Sequence, residues 1–318
     1  MWKRAANRLN PHEDIPPRSG GEQFALTMLE DLQQSYTGDA DPLLERLYNQ
    51  LTIAHGIYKT TRRGRFCELD RVLLDDVRRR FVGIDTLRVH DLAASNGISS
   101  FELFNAIRAH RAVDFQFSDL YDRLFVVRAP ESQWDVVFDS SGAALQYVGR
   151  GFALCAKRGE SRRYPINCLL KRMLDYSLLP RAAEILAQAR SPAGRLAAGR
   201  VRDVLLLHPE CVRAQQDHSN LMFRRHDLFM PLAEQYHLVR AMNILNRGYF
   251  NDERIVAGVR ACLQGLTEGG MLVVGRTIEE EDGRTRASAF IRSDHAMQCV
   301  WDFNEGAEIK GLVEGVCL

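Results

Sequence analysis

The chain has 318 residues, of which 46% are hydrophobic, and a formal net charge of +1. A net charge this close to zero provides no overall field toward nucleic acid or an anionic membrane. No segment approaches the ~18 consecutive apolar residues of a membrane span, so we predict neither partner. The seven cysteines are scattered and form no CxxC pair. This pattern is typical of reduced thiols and predicts a cytoplasmic location.

The first part of the chain is predicted to be an arm followed by helices. Residues 1–21 contain three prolines and end in Ser-Gly-Gly, a composition typical of a flexible segment. Residues 22–82 carry apolar side chains at helical spacing, as in FALTMLEDLQQSY and CELDRVLLDDVRRRF. This helical region is either a cap over a substrate pocket or an element for dimerisation or packing, and the dimerisation alternative predicts a homodimer.

Residues 83–318 are predicted to form one α/β domain. The strand LRVHDLAA leads through the helix FELFNAIRAH to the strand VDFQFSDL. Further strands are predicted in VRDVLLLHPE, YHLVRAMNIL and MLVVGRTI. The short segment NLMFRRHDLF follows the first of these, and the helix DERIVAGVRACLQGL precedes the last. Two final strands, ASAFIRSD and MQCVWDF, could pair antiparallel. The alternation predicts a doubly wound, mostly parallel seven-stranded sheet with helices on both faces.

An insertion interrupts this domain at about 121–200. The β-like segments RLFVVRA, WDVVFDSSGAALQYV and FALCAK are followed by the helical patterns NCLLKRMLDYSLL and PRAAEILAQARS. We interpret the region as an inserted hairpin with helices, at the end of the sheet where a ligand pocket would lie. Insertions at this end usually shape substrate specificity.

The turn after the first α/β strand is the strongest candidate for a cofactor site. It runs from Asp91 to Gly97 and consists mainly of small residues. A small-residue turn lets backbone approach a ligand, and the helix that follows offers unpaired N–H groups. Ala93 and Ser95 can do the work of glycine in such a turn only if their φ values are negative. The turn lacks the GxGxxG pattern of dinucleotide sites, which disfavours NAD.

Five segments in order resemble class I S-adenosylmethionine-dependent methyltransferases: VHDLAASNG, FSDLYD, FRRHDLF, VRAMNILNRGYF and LTEGGMLVVGRT. The resemblance covers about residues 87–277 and implies S-adenosylmethionine as the cofactor. It also implies that Asp119, with Leu120, binds the ribose hydroxyls, and that Asp227 and Leu228 lie at the adenine amino group. The same resemblance assigns the cofactor-binding residues of the first turn, which are Asp91, Ala93, Ser95, Asn96 and Gly97.

The fourth segment is similar to the chemotaxis-receptor glutamate methyltransferases. That similarity implies that the end of this strand lies beside the methionine part of the cofactor, at Arg240, Ala241, Met242 and Asn243. It implies that the route to the substrate is lined by Asn246, Arg247 and Tyr249. It also implies that Asn243 and Tyr249 position the acceptor as catalytic residues. We carry over the cofactor site from this similarity and not the substrate. The predicted activity is methyl transfer to an oxygen or nitrogen atom of a small-molecule metabolite in biosynthesis, because the helical region and the insertion could together enclose a small pocket. Two alternatives stay open: a protein carboxyl methyltransferase of the chemotaxis type, and a cofactor-binding scaffold without turnover.

Histidines give no clear site. The spacing of His208, Cys211, His218 and His226 matches no common structural zinc pattern, and we predict no metal. His226 and His237 are candidate general bases, although a structural role is the better interpretation of each.

Overall fold

The computed structural model describes residues 25–53, 57–59, 61–156, 165–191, 199–278, 283–294 and 296–317. The predicted flexible arm, residues 1–21, lies outside the described residues. The chain divides into two compact units. Within the described residues, the first unit covers 61–120 and 210–317, and the second covers 25–59 and 121–209.

In the first unit, most strands up to residue 278 are preceded by a helix, whereas in the second unit four strands follow one another directly. In chain order the elements are α1 (Met28–Ser35), α2 (Asp41–Gln50), β1 (Thr52–Ile53), β2 (Ile57–Tyr58), α3 (Cys67–Arg80), β3 (Thr86–Leu92), α4 (Ile98–Arg108), β4 (Ala112–Asp119), β5 (Arg123–Arg128), β6 (Asp135–Asp139), β7 (Ala144–Gly149), β8 (Phe152–Cys155), α5 (Pro165–Ser177), α6 (Leu179–Arg190), β9 (Val201–Leu205), α7 (Pro209–Asp217), β10 (Leu221–Arg225), β11 (Tyr236–Met242), α8 (Asp252–Gln264), β12 (Leu266–Ile278), β13 (Arg284–Ser293), β14 (Ala296–Phe303) and α9 (Lys310–Glu314).

The first unit contains a seven-stranded sheet in the order β10-β4-β3-β11-β12-β13-β14. The first five strands of this order, from β10 through β4, β3 and β11 to β12, are parallel to one another. Strands β13 and β14 complete the sheet as antiparallel neighbours. The predicted α/β class, the mostly parallel seven-stranded sheet and the antiparallel tail are therefore confirmed.

The strand order reverses at the centre of this sheet. From β3 the chain moves outward through β4 to β10, and it then returns to the other side of β3 as β11. In open α/β sheets, the carboxyl ends of strands on either side of such a reversal leave a crevice in which ligands bind. The ends of β3 and β11 are therefore where a site is expected.

Both faces of the sheet are covered by helices. On one face, Leu92, Val239 and Ala241 belong to an apolar cluster with Ile255 and Val259 of α8. Side chains alternate along a strand, so the neighbouring residues on β3 and β11 point to the other face. There they contact α3 and α4 through hydrogen bonds. The doubly wound arrangement is confirmed.

The second unit contains a five-stranded antiparallel sheet in the order β8-β7-β6-β5-β9, which is larger than the predicted hairpin. The prediction that VRDVLLLHPE returns to the main sheet was wrong, because β9 pairs with β5. The side chains of Arg202 and Asp203 on β9 are exposed. Exposure of this kind is typical of an edge strand, and β9 lies at the edge of this sheet.

Helices α5 and α6 cover this second sheet. Leu174, Leu178 and Leu186 pack with Val136 and Tyr147 in one apolar cluster. The earlier segment also joins the unit, because the Leu26 N–H donates to Gln146 Oε1 at 2.8 Å. The predicted helical region 22–82 is thus divided, since α3 belongs to the first unit. Among the described helices, none is both long and apolar enough to cross a membrane.

Candidate functional site

The turn after β3 is left-handed at alternate residues. The φ angles of Ala93, Ser95 and Gly97 are 54°, 59° and 81°. The condition that the sequence set for Ala93 and Ser95, negative φ, is therefore not met. Left-handed backbone is uncommon outside glycine because Cβ crowds the neighbouring carbonyl. The turn adopts a glycine-type conformation with only one glycine.

Strand β4 holds this turn from one side. The Ala94 N–H donates to the Ser118 carbonyl at 2.9 Å, and the Ser95 N–H donates to Asp119 Oδ2 at 2.9 Å. A Cβ on Gly97 would lie 2.7 Å from the Phe117 ring, so packing as well as φ requires glycine there. The carboxylate at the end of β4 is therefore hydrogen-bonded directly to the turn backbone.

Asn96 connects the turn to the start of α4. Its Oδ1 accepts a hydrogen bond from the Ile98 N–H at 3.1 Å, and its Nδ2 donates to the Thr61 carbonyl at 3.2 Å. Asn96 is almost fully buried. Its side chain therefore stabilises the turn and the first residue of the helix, and both of its polar atoms have protein partners.

The end of β10 lies beside Asp119. The His226 N–H donates to the Asp119 carbonyl at 3.2 Å. Asp227 follows, and its Oδ1 accepts from the Phe229 N–H at 3.0 Å, which closes a local turn. Leu228 packs into the apolar cluster under the sheet. The structure thus places Asp119 and Asp227 at neighbouring strand ends.

Asn243 ends β11 in another left-handed residue, with φ of 60°. Its Oδ1 accepts from the Thr277 N–H at 2.6 Å, and its carbonyl accepts from Asn246 Nδ2 at 3.2 Å. The Tyr249 N–H in turn donates to the Asn246 carbonyl at 3.1 Å. Burial raises the pKa of the half-buried Tyr249 phenol, although Arg65 and Arg276 oppose this rise. Tyr249 is therefore a neutral hydrogen-bonding group near pH 7.

Asp91 and Arg240 are directed inward, beneath the turn. Arg240 is fully buried, and its Nε and Nη2 donate to the two Asp91 oxygens at 3.0 and 2.6 Å. Its Nη1 donates to Asp70 of α3 at 2.8 Å. Burial raises the pKa of Asp70 to about 6, while Arg240 lowers it. These side chains satisfy one another and leave no surface for a ligand.

Two histidines lie under the site in neutral form. His90 Nε2 is 2.8 Å from Ser118 Oγ, and its ring centroid is 5.8 Å from that of His226. Burial lowers the pKa of His90 to about 3 and also lowers the pKa of His226. His237 Nδ1 accepts from the Arg88 N–H at 2.9 Å, near the start of β11. That position is remote from Asn243, so His237 is structural.

The structure brings the sequence-predicted residues to the carboxyl ends of four adjacent parallel strands. Two of them, Arg240 and Ala241, have fully buried side chains, so a direct side-chain contact with a ligand does not fit. Asp70 and Ser100 were not foreseen. Asp70 shares the buried helix face of Leu73 and Val77 at helical spacing. A carboxylate on an otherwise apolar helix face indicates a buried charged partner, and this pattern could have identified Asp70 from the sequence. Among the described residues, no group of three His, Cys, Asp or Glu side chains could hold a metal ion.

No family model matches the chain, and no curated protein matches its sequence. Similar solved structures include the CMeT domain of the citrinin polyketide synthase, at 12% identity and a TM-score of 0.34, covering 79% of this chain and 47% of that one. The cyclase SpnF is similar at 13% identity, with a TM-score of 0.31 and coverage of 79% and 60%. The O-methyltransferase NcsB1 from neocarzinostatin biosynthesis, in complex with S-adenosyl-L-homocysteine, has 13% identity, a TM-score of 0.25 and coverage of 66% and 40%.

This chain therefore spans 40% to 60% of the length of these three proteins. At such TM-scores the likeness carries no conclusion about activity. The functional argument rests on the site itself.

Proposed function

We propose that this protein binds S-adenosylmethionine and transfers its methyl group to an oxygen or nitrogen atom of a small-molecule metabolite. The observation that carries the proposal is the turn after β3, left-handed at Ala93, Ser95 and Gly97. A left-handed residue other than glycine costs on the order of 1 kcal/mol. Strain of this kind persists mainly at functional sites, and this turn lies at the reversal of strand order, where α/β sheets bind ligands.

Asp119 is the residue we propose to hold the ribose. One of its oxygens accepts from the Ser95 N–H at 2.9 Å, which fixes the carboxylate against the turn. A carboxylate can accept several further hydrogen bonds, so it can bind two neighbouring hydroxyl groups. Asp227, at the next strand end, would bind the adenine amino group. Its Oδ1 already accepts from Phe229 N–H, and that bond orients the carboxylate.

Asn243 and Tyr249 are proposed to position the acceptor. The hydrogen bond from the Thr277 N–H to Asn243 Oδ1 ties the end of β11 to β12. A raised pKa keeps the Tyr249 phenol protonated near neutral pH, so it can donate a hydrogen bond to the acceptor but is a poor base. The sulfonium methyl group is already activated, and the protein therefore acts mainly by aligning donor and acceptor and excluding water.

The resemblance implied direct cofactor contact for three residues to which this proposal gives another role, namely Asp91, Arg240 and Ala241. Their side chains are enclosed, so we assign them to the support of the site and not to direct contact. Nothing in the described residues favours a protein carboxyl acceptor over a small molecule. A scaffold that binds the cofactor without turnover would share the same turn and the same carboxylates.

The test is calorimetric titration with S-adenosylmethionine and, separately, with NAD. We expect saturable binding of S-adenosylmethionine alone. Asp119→Ala should weaken this binding roughly 100-fold, because two hydrogen bonds to a charged acceptor are lost. The matched control is Asp114→Ala, a carboxylate toward the other end of β4, which should bind like the natural chain.

Three outcomes would contradict the proposal in different ways. Absence of binding by the natural chain would remove S-adenosylmethionine as the ligand. Equal affinity of Asp119→Ala and the natural chain would place the ligand elsewhere. Tight binding with no methyl transfer to any member of a phenol, carboxylic acid and amine panel would favour the scaffold.

A further inference from the structure

Arg240 connects both ends of the left-handed turn through a single side chain. Its guanidinium binds Asp91, two residues before Ala93, through bonds of 3.0 and 2.6 Å. The same Nη2 donates to the carbonyl of Ser99, two residues after Gly97, at 3.2 Å. The turn is thus held between two points on one planar group, which comes from the neighbouring strand.

Ser100 and Asp70 complete the connection. Ser100 Oγ donates to Asp91 Oδ2 at 2.6 Å, which links the start of α4 directly to the end of β3. Asp70 of α3 accepts from Arg240 Nη1 at 2.8 Å. The Phe66 ring lies 5.5 Å from the guanidinium carbon, within cation–π range. We call Arg240, Asp91, Asp70 and Ser100 the buried strut.

Stability alone does not explain such a group of charges. All four side chains are buried, and two carboxylates face one guanidinium. Well-packed apolar residues often serve as well as or better than a buried ion pair, because desolvation offsets most of the attraction. Fixed, directional hydrogen bonds are what charges offer and apolar groups do not. The strut is therefore suited to hold a particular backbone conformation.

The turn is a conformation that needs such support. Ala93 and Ser95 would relax to negative φ if the ends of the turn were free to move. We propose that the buried strut holds the turn in its left-handed form before any ligand binds, so that Arg240 is a positioning residue for the cofactor cradle. The proposal rests on the proposed function in so far as the cradle binds S-adenosylmethionine.

The test compares Arg240→Lys in two chains: the natural chain, and the chain with Ala93→Gly/Ser95→Gly, in which the backbone strain of the turn has been removed. Lysine keeps the charge but cannot bind both Asp91 oxygens in the plane that arginine uses. Glycine at 93 and 95 adopts positive φ without penalty, so the turn of Ala93→Gly/Ser95→Gly should need the strut less. We expect Arg240→Lys to weaken S-adenosylmethionine binding roughly tenfold in the natural chain and less than about threefold in the glycine chain.

Two further variants keep the test interpretable. Ser100→Ala removes one strut bond and spares the fold, so it replaces Arg240→Lys if the latter does not fold. Arg292→Lys is the matched control, because Arg292 of β13 also bonds to buried carbonyls, those of Leu263 and Leu266, away from the turn. The control should lower the urea midpoint without changing affinity. An equal loss of affinity in both backgrounds, or no loss in either, would overturn the proposal.

A second readout separates this inference from the proposed function. If the natural chain does not bind S-adenosylmethionine, the proposed function fails, and the strut is judged by unfolding in urea alone. The glycine pair should raise the urea midpoint of the natural chain, where the strut maintains the strain. It should raise the midpoint less with Arg240→Lys, where the turn has already relaxed. Equal shifts in the two chains would show that the strut does not hold the turn.

Discussion

The two faces of β3 and β11 are built in opposite ways at the same level of the sheet. Toward α8, Leu92, Val239 and Ala241 join an apolar cluster. Toward α3 and α4, the adjacent residues Asp91 and Arg240 form the buried strut with Asp70 and Ser100. Both faces are buried, but only the second carries charge.

The difference separates stabilising a sheet from shaping a turn. Apolar burial is proportional to area and nearly indifferent to direction, so it stabilises the sheet without selecting one loop conformation. The strut has fixed directions and contacts residues on both sides of the turn. We infer that the α8 face supplies stability and that the α3–α4 face specifies the conformation of the site.

The largest effect should come from removing the cation. Arg240→Ala leaves Asp70 and Asp91 buried without their partner, and we expect the free energy of unfolding to fall by about 3–5 kcal/mol. Replacing the whole group, as Asp70→Leu/Asp91→Leu/Arg240→Met, should restore the free energy of unfolding to about the natural value or above. Urea unfolding measures both variants.

The affinity of these variants for S-adenosylmethionine tests whether the α3–α4 face shapes the site while the α8 face only stabilises it. The apolar replacement should stay at least roughly tenfold weaker for S-adenosylmethionine despite its recovered stability. Leu263→Ala on the α8 face should cost about 2–5 kcal/mol of stability and leave affinity unchanged. Natural affinity in the apolar replacement would contradict a role for the charges in shaping the turn.

A smaller effect is expected from pH. Burial raises the pKa of Asp70 to about 6 in the folded protein, above its value of about 4 in an unfolded chain. The folded state therefore binds more protons than the unfolded state between these values. The stability that Asp70 contributes is fully present below about pH 4 and is lost as the pH rises through about 6, a difference on the order of 1–3 kcal/mol.

Asp70→Asn should remove this part of the pH dependence. The measurement is the free energy of unfolding from pH 4 to pH 7, taken as the difference between the natural chain and the variant. Glu102, whose pKa is also raised by burial, is present in both chains, so the difference retains only its electrostatic coupling to Asp70. Asp75→Asn is the control, because Asp75 is an exposed carboxylate on the same helix. The same pH profile in the natural chain and in Asp70→Asn would show that Asp70 is already charged at low pH.

The sequence predicted most strands of the seven-stranded sheet and the position of the turn, because apolar periodicity and small residues are local signals. It did not predict the conformation of Ala93 and Ser95, since residue preferences at these positions favour negative φ. Nor did it pair Arg240 with Asp91, which lies 149 residues earlier, because such a pair depends on which strands become neighbours. The error at β9 has a similar origin. The apolar run Leu205–Leu206–Leu207 resembles a core strand, while the exposed Arg202 and Asp203 mark an edge.

The smallest effect, and the most direct test of strain in the turn, is Ala93→Gly. Ala93 has φ of 54°, where a Cβ costs about 1–2 kcal/mol. The greater freedom of glycine in the unfolded chain offsets about 0.4–1 kcal/mol of this, so glycine should stabilise the protein by about 0.5–1 kcal/mol. Ala94→Gly is the matched control one residue along. Ala94 is buried and is not left-handed, so glycine there should destabilise by roughly 1 kcal/mol. We therefore expect urea unfolding of the two single variants to show changes of opposite sign in the free energy of unfolding, although both replace alanine with glycine. If both variants destabilise, Ala93 is not strained, and the turn would need no strut to hold it.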